Sequence, residues 1–284
     1  MSSRTTTLLA SLAALLAFAA PSHADAAARP VSSSNWAGYA VSKPAVRFRR
    51  VVGTWVQPAA SCAAGPRRYS AYWLGLGGFH SKSTALEQIG TQVDCSSLGQ
   101  AVYSAWYELV PAAPVHIALR VLPGDTISAS AAVSGRTVKL SLADVTSGAA
   151  FTTQLRAKRV DVTSAEWIVE APSMCNAIGC KALPLADFGS ASFSAASATT
   201  IGGHVGAIAD PAWGMTAITL SPFANRGIGT NLPLPGASAA ATPGDLTPGG
   251  NAFTVTYRDV SAAVPAPPPP PSIPPPPSIP GTPT

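Results

Sequence analysis

Two carboxylates and one amide stand in segments that are otherwise apolar. Glu166 and Glu170 lie in Ala165-Glu166-Trp167-Ile168-Val169-Glu170, and Gln88 lies in Leu86-Glu87-Gln88-Ile89-Gly90. A Glu flanked by Trp and Ile is a candidate for a desolvated carboxylate with a raised pKa. On a strand Glu166 and Glu170 share a face, but four residues at about 3.3 Å rise set their Cα atoms roughly 13 Å apart. That exceeds the roughly 5–5.5 Å of a retaining glycosidase pair and the roughly 6.5–9.5 Å of an inverting pair. The two glutamates are therefore not a glycosidase dyad by themselves. An ionised Glu can take a proton from water and later return it to a leaving amine. A Gln offers an uncharged N–H to a developing oxyanion, and its carbonyl can help to hold the water. Taken alone, a Glu in such a strand reads more simply as the exposed face of a half-buried sheet.

The surrounding pattern says which elements must hold these groups. From Val115 to Leu155 apolar residues alternate with polar ones: Val115, Ile117, Leu119 and Val121 before the turn Pro123-Gly124-Asp125, then Ile127, Ala129, Ala131 and Val133 before Ser134-Gly135. Val138, Leu140 and Leu142 follow, then Ser147-Gly148, then Phe151 and Leu155. Short period-two runs with turn signals between them predict an all-β, antiparallel sandwich or barrel. Thr216–Leu220 and Phe253–Tyr257 read as further strands, and one domain is expected over residues 31–260.

Other chemistries find no support in the spacing. His23, His80, His116 and His204 are scattered without a metal-binding pattern, and no Gly-x-Ser-x-Gly elbow occurs. Gly75, Gly77 and Gly78 form a Gly-rich stretch, but no helical pattern follows to cradle a phosphate. No metal or other cofactor is expected. Charged residues are only 11% of the chain, against about 25% in an ordinary domain. The net charge of +5 is dispersed over Arg47 to Arg50, Arg67-Arg68 and Arg156 to Arg159, so no nucleic-acid partner is expected.

The N-terminus carries one basic side chain, Arg4, an apolar run from Leu8 to Ala20, and small-residue cleavage sites near Ala24 and Ala26. Residues 1–26 read as a secretory signal peptide, and no other stretch approaches the roughly eighteen apolar residues of a membrane span. An even set of cysteines in an exported chain, Cys62, Cys95, Cys175 and Cys180, reads as two disulfides with three possible connectivities. Sequence proximity favours Cys62–Cys95 and Cys175–Cys180. The last segment, 261–284, is mostly proline and reads as a disordered, extended tail, a spacer or a cell-wall tether. The product is expected to be a secreted monomer.

Together with Ser34-Asn35-Trp36-Ala37-Gly38, the Glu166 and Gln88 segments resemble the glutamic peptidases, the eqolisins or scytalidoglutamic peptidase family. In that family the catalytic Glu opens an Ala-Glu-aromatic-Ile-x-Glu segment, which implies Glu166 here. The catalytic Gln follows a Trp-x-Gly-(Ile/Leu)-x-Gly strand, here Trp73 to Gly78, which implies Gln88, with Gln92 a weaker candidate on the same face. Trp106-Tyr107-Glu108 matches the family's Trp-Tyr-Glu, and Trp36 and Trp73 match tryptophans of its cleft. Trp36, Trp73, Trp106 and Glu108 are thus implied substrate-binding residues. The short Cys175–Cys180 loop also stands where fungal members carry a disulfide loop. The matches run in the family's order from Ser34 to about Leu220.

The resemblance implies a jelly-roll-like β-sandwich with a concave active face, and an acid endopeptidase acting on proteins or peptides through a Glu/Gln dyad. It departs from the fungal pattern where an Asp is replaced by Gly77, and where a second Asp is replaced by Ser104. With those two charges gone, the optimum is expected to be acidic but milder than in the fungal relatives, at roughly pH 3–5. The rival reading is a non-catalytic carbohydrate-binding sandwich, in which Trp36, Trp73 and Trp106 would stack on sugars.

Overall fold

The computed structural model describes residues 30–176, 179–222, 224 and 239–260. The expected signal peptide and the proline-rich tail lie outside the described residues. Among those residues there are eighteen strands and no helix. The first six are β1 (Val31–Ser33), β2 (Trp36–Ser42), β3 (Phe48–Val56), β4 (Arg68–Gly77), β5 (Leu86–Cys95) and β6 (Ala101–Val110). Next come β7 (Val115–Ile117), β8 (Thr126–Ser134), β9 (Thr137–Asp144), β10 (Ala150–Arg156), β11 (Ser164–Glu170) and β12 (Ser173–Asn176). The last six are β13 (Gly179–Ala182), β14 (Ser190–Thr200), β15 (Val205–Ala207), β16 (Gly214–Leu220), β17 (Ala239–Pro243) and β18 (Phe253–Asp259).

One hydrogen-bonded path runs β10-β9-β8-β3-β14-β18-β17-β16-β2-β11-β4-β5-β6-β7, with β1 added beside β16 and β15 beside β14. All pairs are antiparallel except β1 with β16. The path folds over so that β3, β8 and β9 pack against β11, β4 and β5, giving the two layers of a sandwich. Two indoles cross the interior and tie the layers. Trp167 Nε1 on β11 donates to the Val52 carbonyl of β3 at 2.8 Å, and Trp55 Nε1 on β3 donates to Thr91 Oγ1 of β5 at 3.0 Å.

Alternation along each strand decides which side chains fill that interior. On β11, Ala165, Trp167 and Val169 join the main core with Tyr72, Leu74 and Leu76 of β4 and Ile89 and Val93 of β5. Burying a residue of this size contributes about 1.5–3 kcal/mol each, so the layers are held chiefly by this cluster. The opposite face of the same strands carries a second, smaller cluster: Ala40, Ala71, Trp73, Leu86, Trp106, Ile168 and Ile218, with Trp36 and Phe79 packed on it.

The expected strands at Thr216–Leu220 and Phe253–Tyr257 are present in β16 and β18. The Val115 run is shorter than its alternation suggests: β7 ends at Ile117, and Leu119 and Val121 are buried from an irregular segment. The disulfides pair as proximity suggests, Cys62 with Cys95 and Cys175 with Cys180. The second of these closes the separate β12–β13 hairpin.

Candidate active site

Antiparallel register brings the candidate residues into line. Reading across the sheet, Thr216 pairs with Ala40, Ala40 with Glu166, Glu166 with Gly75, Gly75 with Gln88, and Gln88 with Glu108. Residues directly opposite each other point to the same face, so Glu166, Gln88 and Glu108 stand in one row. Two interstrand steps separate Glu166 from Gln88, about 9.5 Å between Cα atoms. The residue between them has no side chain. A Cβ on Gly75 would come within 3.0 Å of the Glu87 carbonyl and of Leu86 Cδ1, and within 3.2 Å of Gln88 Cβ. A glycine at this position lets Leu86 and Gln88 pack closely against β4 between the carboxyl and the amide.

Two residues along, a second row holds Ile168, Trp73, Gly90 and Trp106, and beyond it a third holds Trp36, Glu170, Ala71, Gln92 and Ser104. These rows form the floor beside the Glu166–Gln88 pair. Trp36 and Trp73 meet edge to face with ring centroids 5.0 Å apart. Trp73 Nε1 donates to Glu170 Oε2 at 2.7 Å, and Asn35 Nδ2 donates to Glu170 Oε1 at 2.9 Å. Glu170 is therefore held in place by two donors.

Glu166 is in a different state. It is fully buried, and neither carboxyl oxygen has a hydrogen-bond partner. Burial pushes its pKa well above the ordinary carboxylate value, and the nearby carboxyls of Asp161 and Glu87 add to the rise. The Ser164 hydroxyl, next on the same face, opposes the shift without completing a hydrogen bond. Gln88 is 4% exposed; its Nε2 donates to Glu108 Oε2 at 2.7 Å, while its Oε1 has no partner. Burial raises Glu108, and the Gln88 bond partly offsets that. The indole N–H of buried Trp106 also lacks a partner. The face thus carries unsatisfied donors and acceptors, which a fold leaves unpaired at a cost of about 1–3 kcal/mol each.

The sequence model of the peptidase A4 family matches residues 34–219, a span that contains all of these rows. The chain belongs to the peptidase A4 family. It is 29% identical over 199 residues to aspergillopepsin-2 of Aspergillus niger, covering 61% of this chain and 67% of that protein. Its fold is that of scytalido-glutamic peptidase, solved with a transition state analog inhibitor, with a TM-score of 0.60 and 22% identity over 80% of this chain and 99% of the other. Aspergilloglutamic peptidase from Aspergillus niger has a TM-score of 0.50 at 24% identity, over 67% of this chain and 99% of that one. This A4 protein is an endopeptidase of the glutamic type.

Across these rows of the A4 protein, Glu166, Gln88 and Glu108 share one line, while Gln92 lies two rows away and donates to Asp94. Trp36 is partly exposed, but Trp73 and Trp106 are buried in the floor. Flat sugar stacking needs exposed ring faces, so these two indoles do not favour the carbohydrate-binding reading. Two carboxyls nearby were not singled out by sequence. Glu87 is buried, with burial raising its pKa to about 8. Asp161 lies in the segment before β11, and a Cβ on Gly77 would come within 2.5 Å of Asp161 Cβ. Gly77 and Ser104 carry no acidic side chain, and Asp161 and Glu87 are the carboxyls that add to the rise at Glu166. The signal for Glu87 was available: alternation with Gln88 puts a carboxyl on the core face of β5. Asp161 sits in a loop, where spacing carries no such signal.

Proposed function

We propose that Glu166 and Gln88 are the catalytic pair of this endopeptidase. The observation that carries the reading is the Glu166–Gly75–Gln88 row, with a buried unpartnered carboxyl and a buried amide on either side of a residue that has no side chain. An extended peptide laid across the row brings its scissile carbonyl between them. Glu166 in its ionised form takes a proton from water, and the water oxygen bonds to the carbonyl carbon. The carbonyl oxygen becomes an oxyanion and accepts the Gln88 N–H that Glu108 does not use. As the C–N bond breaks, the proton held by Glu166 passes to the amine nitrogen. Glu108 acts through Gln88, fixing which end of the amide faces the oxyanion. Trp36, with Trp73 and Trp106 behind it, forms an apolar wall for substrate side chains.

Because burial raises Glu166, with the Asp161 and Glu87 carboxyls adding to it, the fraction ionised grows with pH past the ordinary Glu value near 4.3. The acidic limb of activity should then lie at higher pH than an ordinary glutamate would give, which a pH–rate profile of the pure enzyme checks. The enzyme works as an exported monomer on unfolded proteins or peptides, and its two disulfides suit an oxidising compartment. The test is cleavage of a denatured protein, read by mass spectrometry, with thermal unfolding measured alongside. Glu166→Gln should abolish turnover, and Gln88→Ala should lower kcat by about 10²–10³, each with little change in Tm. Near wild-type turnover in either variant removes that residue from the dyad.

A further inference from the structure

Glu170 ends β11 two rows from Glu166, and it takes donors from both sides of its strand. Trp73 Nε1 of β4 donates to its Oε2 at 2.7 Å, and Asn35 Nδ2, just before β2, donates to its Oε1 at 2.9 Å. Asn35 is itself fixed. Its backbone carbonyl accepts from the Ala171 N–H at 2.8 Å, and its Oδ1 accepts from Ser33 Oγ at 3.2 Å. The same Ser33 Oγ accepts from the Asn35 and Trp36 N–H groups at 3.3 and 3.1 Å. Glycines leave room for the two indoles. Gly90 stands opposite Trp73, and a Cβ there would strike the Tyr72 carbonyl and come within 2.6 Å of Trp73 Cβ. A Cβ on Gly78 would come within 3.2 Å of Trp36 Cη2, so the tip of that ring lies against the turn that follows β4. Between these limits the rings of Trp36 and Trp73 meet at an interplanar angle of 78°.

We propose that Glu170 is a positioning residue: with Asn35 it clips Trp73, and through Trp73 also Trp36, into a preformed subsite for an apolar side chain of the substrate away from the scissile bond. A peptide running along the strands passes these rings after it leaves the Glu166–Gln88 row. Rows are two residues apart, so Trp73 lies about 7 Å and Trp36 about 13 Å from that row, beside substrate residues about two to four positions from the cleaved bond. Trp36 is the partly exposed member of the pair and meets the substrate, while buried Trp73 sets its angle from behind. Rings already held by the protein need not be ordered by the substrate, so the cost of fixing them is not taken from binding. The clip needs an acceptor on both sides. A carboxyl group provides one on each of its oxygens, and an amide of the same shape provides one only.

The inference rests on the Glu166–Gln88 row as the place of cleavage, and the experiment separates the two claims. Peptides sharing one scissile bond are compared: a long one, and two trimmed to a single residue on one side of the bond or the other. Glu170→Gln sets an NH₂ against one of the two donors and so breaks one bond. For the long peptide KM should rise roughly tenfold with kcat within about twofold, and the peptide trimmed on the indole side should not respond. The Asn35→Asp, Glu170→Gln double variant exchanges donor and acceptor across the clip. The new amide then donates to the new carboxylate while its oxygen accepts from Trp73 Nε1, and KM should return to within about threefold of wild type. An unchanged KM, an equal loss on all three peptides or a fall in kcat alone overturns the proposal, because a merely structural role would behave so. A double variant no better than Glu170→Gln overturns it too. Turnover of the long peptide by Glu166→Gln refutes the dyad and leaves the Glu170 result standing. Should Glu170→Gln fail to fold, Asn35→Ala removes one donor and leaves Trp73 on Glu170. A KM rise confined to the same peptides then supports the proposal, and an unmoved KM overturns it.

Discussion

Gly75→Ala is the most direct probe of the site's geometry, because it adds one methyl between the two groups that the mechanism needs apart. The new Cβ would meet Leu86 Cδ1 and the Glu87 carbonyl at 3.0 Å and Gln88 Cβ at 3.2 Å. Comfortable carbon contacts lie at about 3.5–4.0 Å, so Gln88 Cβ must retreat by about 0.3–0.8 Å. The Glu87 carbonyl is backbone and cannot turn aside, so the shift falls on the Gln88 and Leu86 side chains. A 1 Å misplacement of a reacting group costs on the order of 10²-fold in rate, and a few tenths should cost about tenfold. Stability should move less, since overpacking by one methyl costs about 1–3 kcal/mol and losing a strand glycine returns about 0.5–1 kcal/mol. The assay is kcat/KM on a quenched fluorescent peptide beside a urea melt. A variant within twofold of wild-type kcat/KM would refute the claim that the gap at Gly75 sets the spacing. A loss above about 4 kcal/mol would show instead that Gly75 holds up the sheet.

Three other outcomes follow from the same geometry. Glu108→Ala releases the Gln88 amide, and kcat should drop about tenfold or more with KM nearly unchanged; a pure KM effect would make Glu108 a substrate contact instead. Glu87 and Glu170 have pKa values raised to about 8 and about 7, chiefly by burial, although Trp73 and Asn35 donors oppose the rise at Glu170. Groups raised in the folded state give stability that is whole below the unfolded value near 4.3 and lost as pH climbs through the folded values. Urea midpoints should therefore fall between about pH 4 and pH 8, and a midpoint rising over that range would contradict the buried neutral carboxyls. Replacing Cys62 and Cys95 by serine opens a loop of sequence separation 33 and should cost about 3–4 kcal/mol in a denaturant melt. A loss of the same size from the Cys175–Cys180 pair, of separation 5, would argue against the chain-entropy account.

The sequence by itself determined the all-β class, because alternation in β8, β9 and β10 places Ile127, Leu140 and their neighbours on one face whatever the strands pair with. It also determined the chemistry on offer, since Glu166 and Gln88 are named by their apolar surroundings and by motif order. Local spacing could place Glu166 and Glu170 on one face, for both lie on one strand. It could not place Glu166 opposite Gln88, which are 78 positions apart, because that relation depends on the register of three strands through Gly75. Register is a global property: it is chosen by which faces bury Trp55 and Trp167 between the layers, and a slip of one residue would turn Glu166 into the core. Asp161 shows the same limit most clearly. Its distance in sequence from Gly77 and Ser83 hides that one carboxylate fills the space of the first and is clamped by the second, and only the folded sheet brings those segments together.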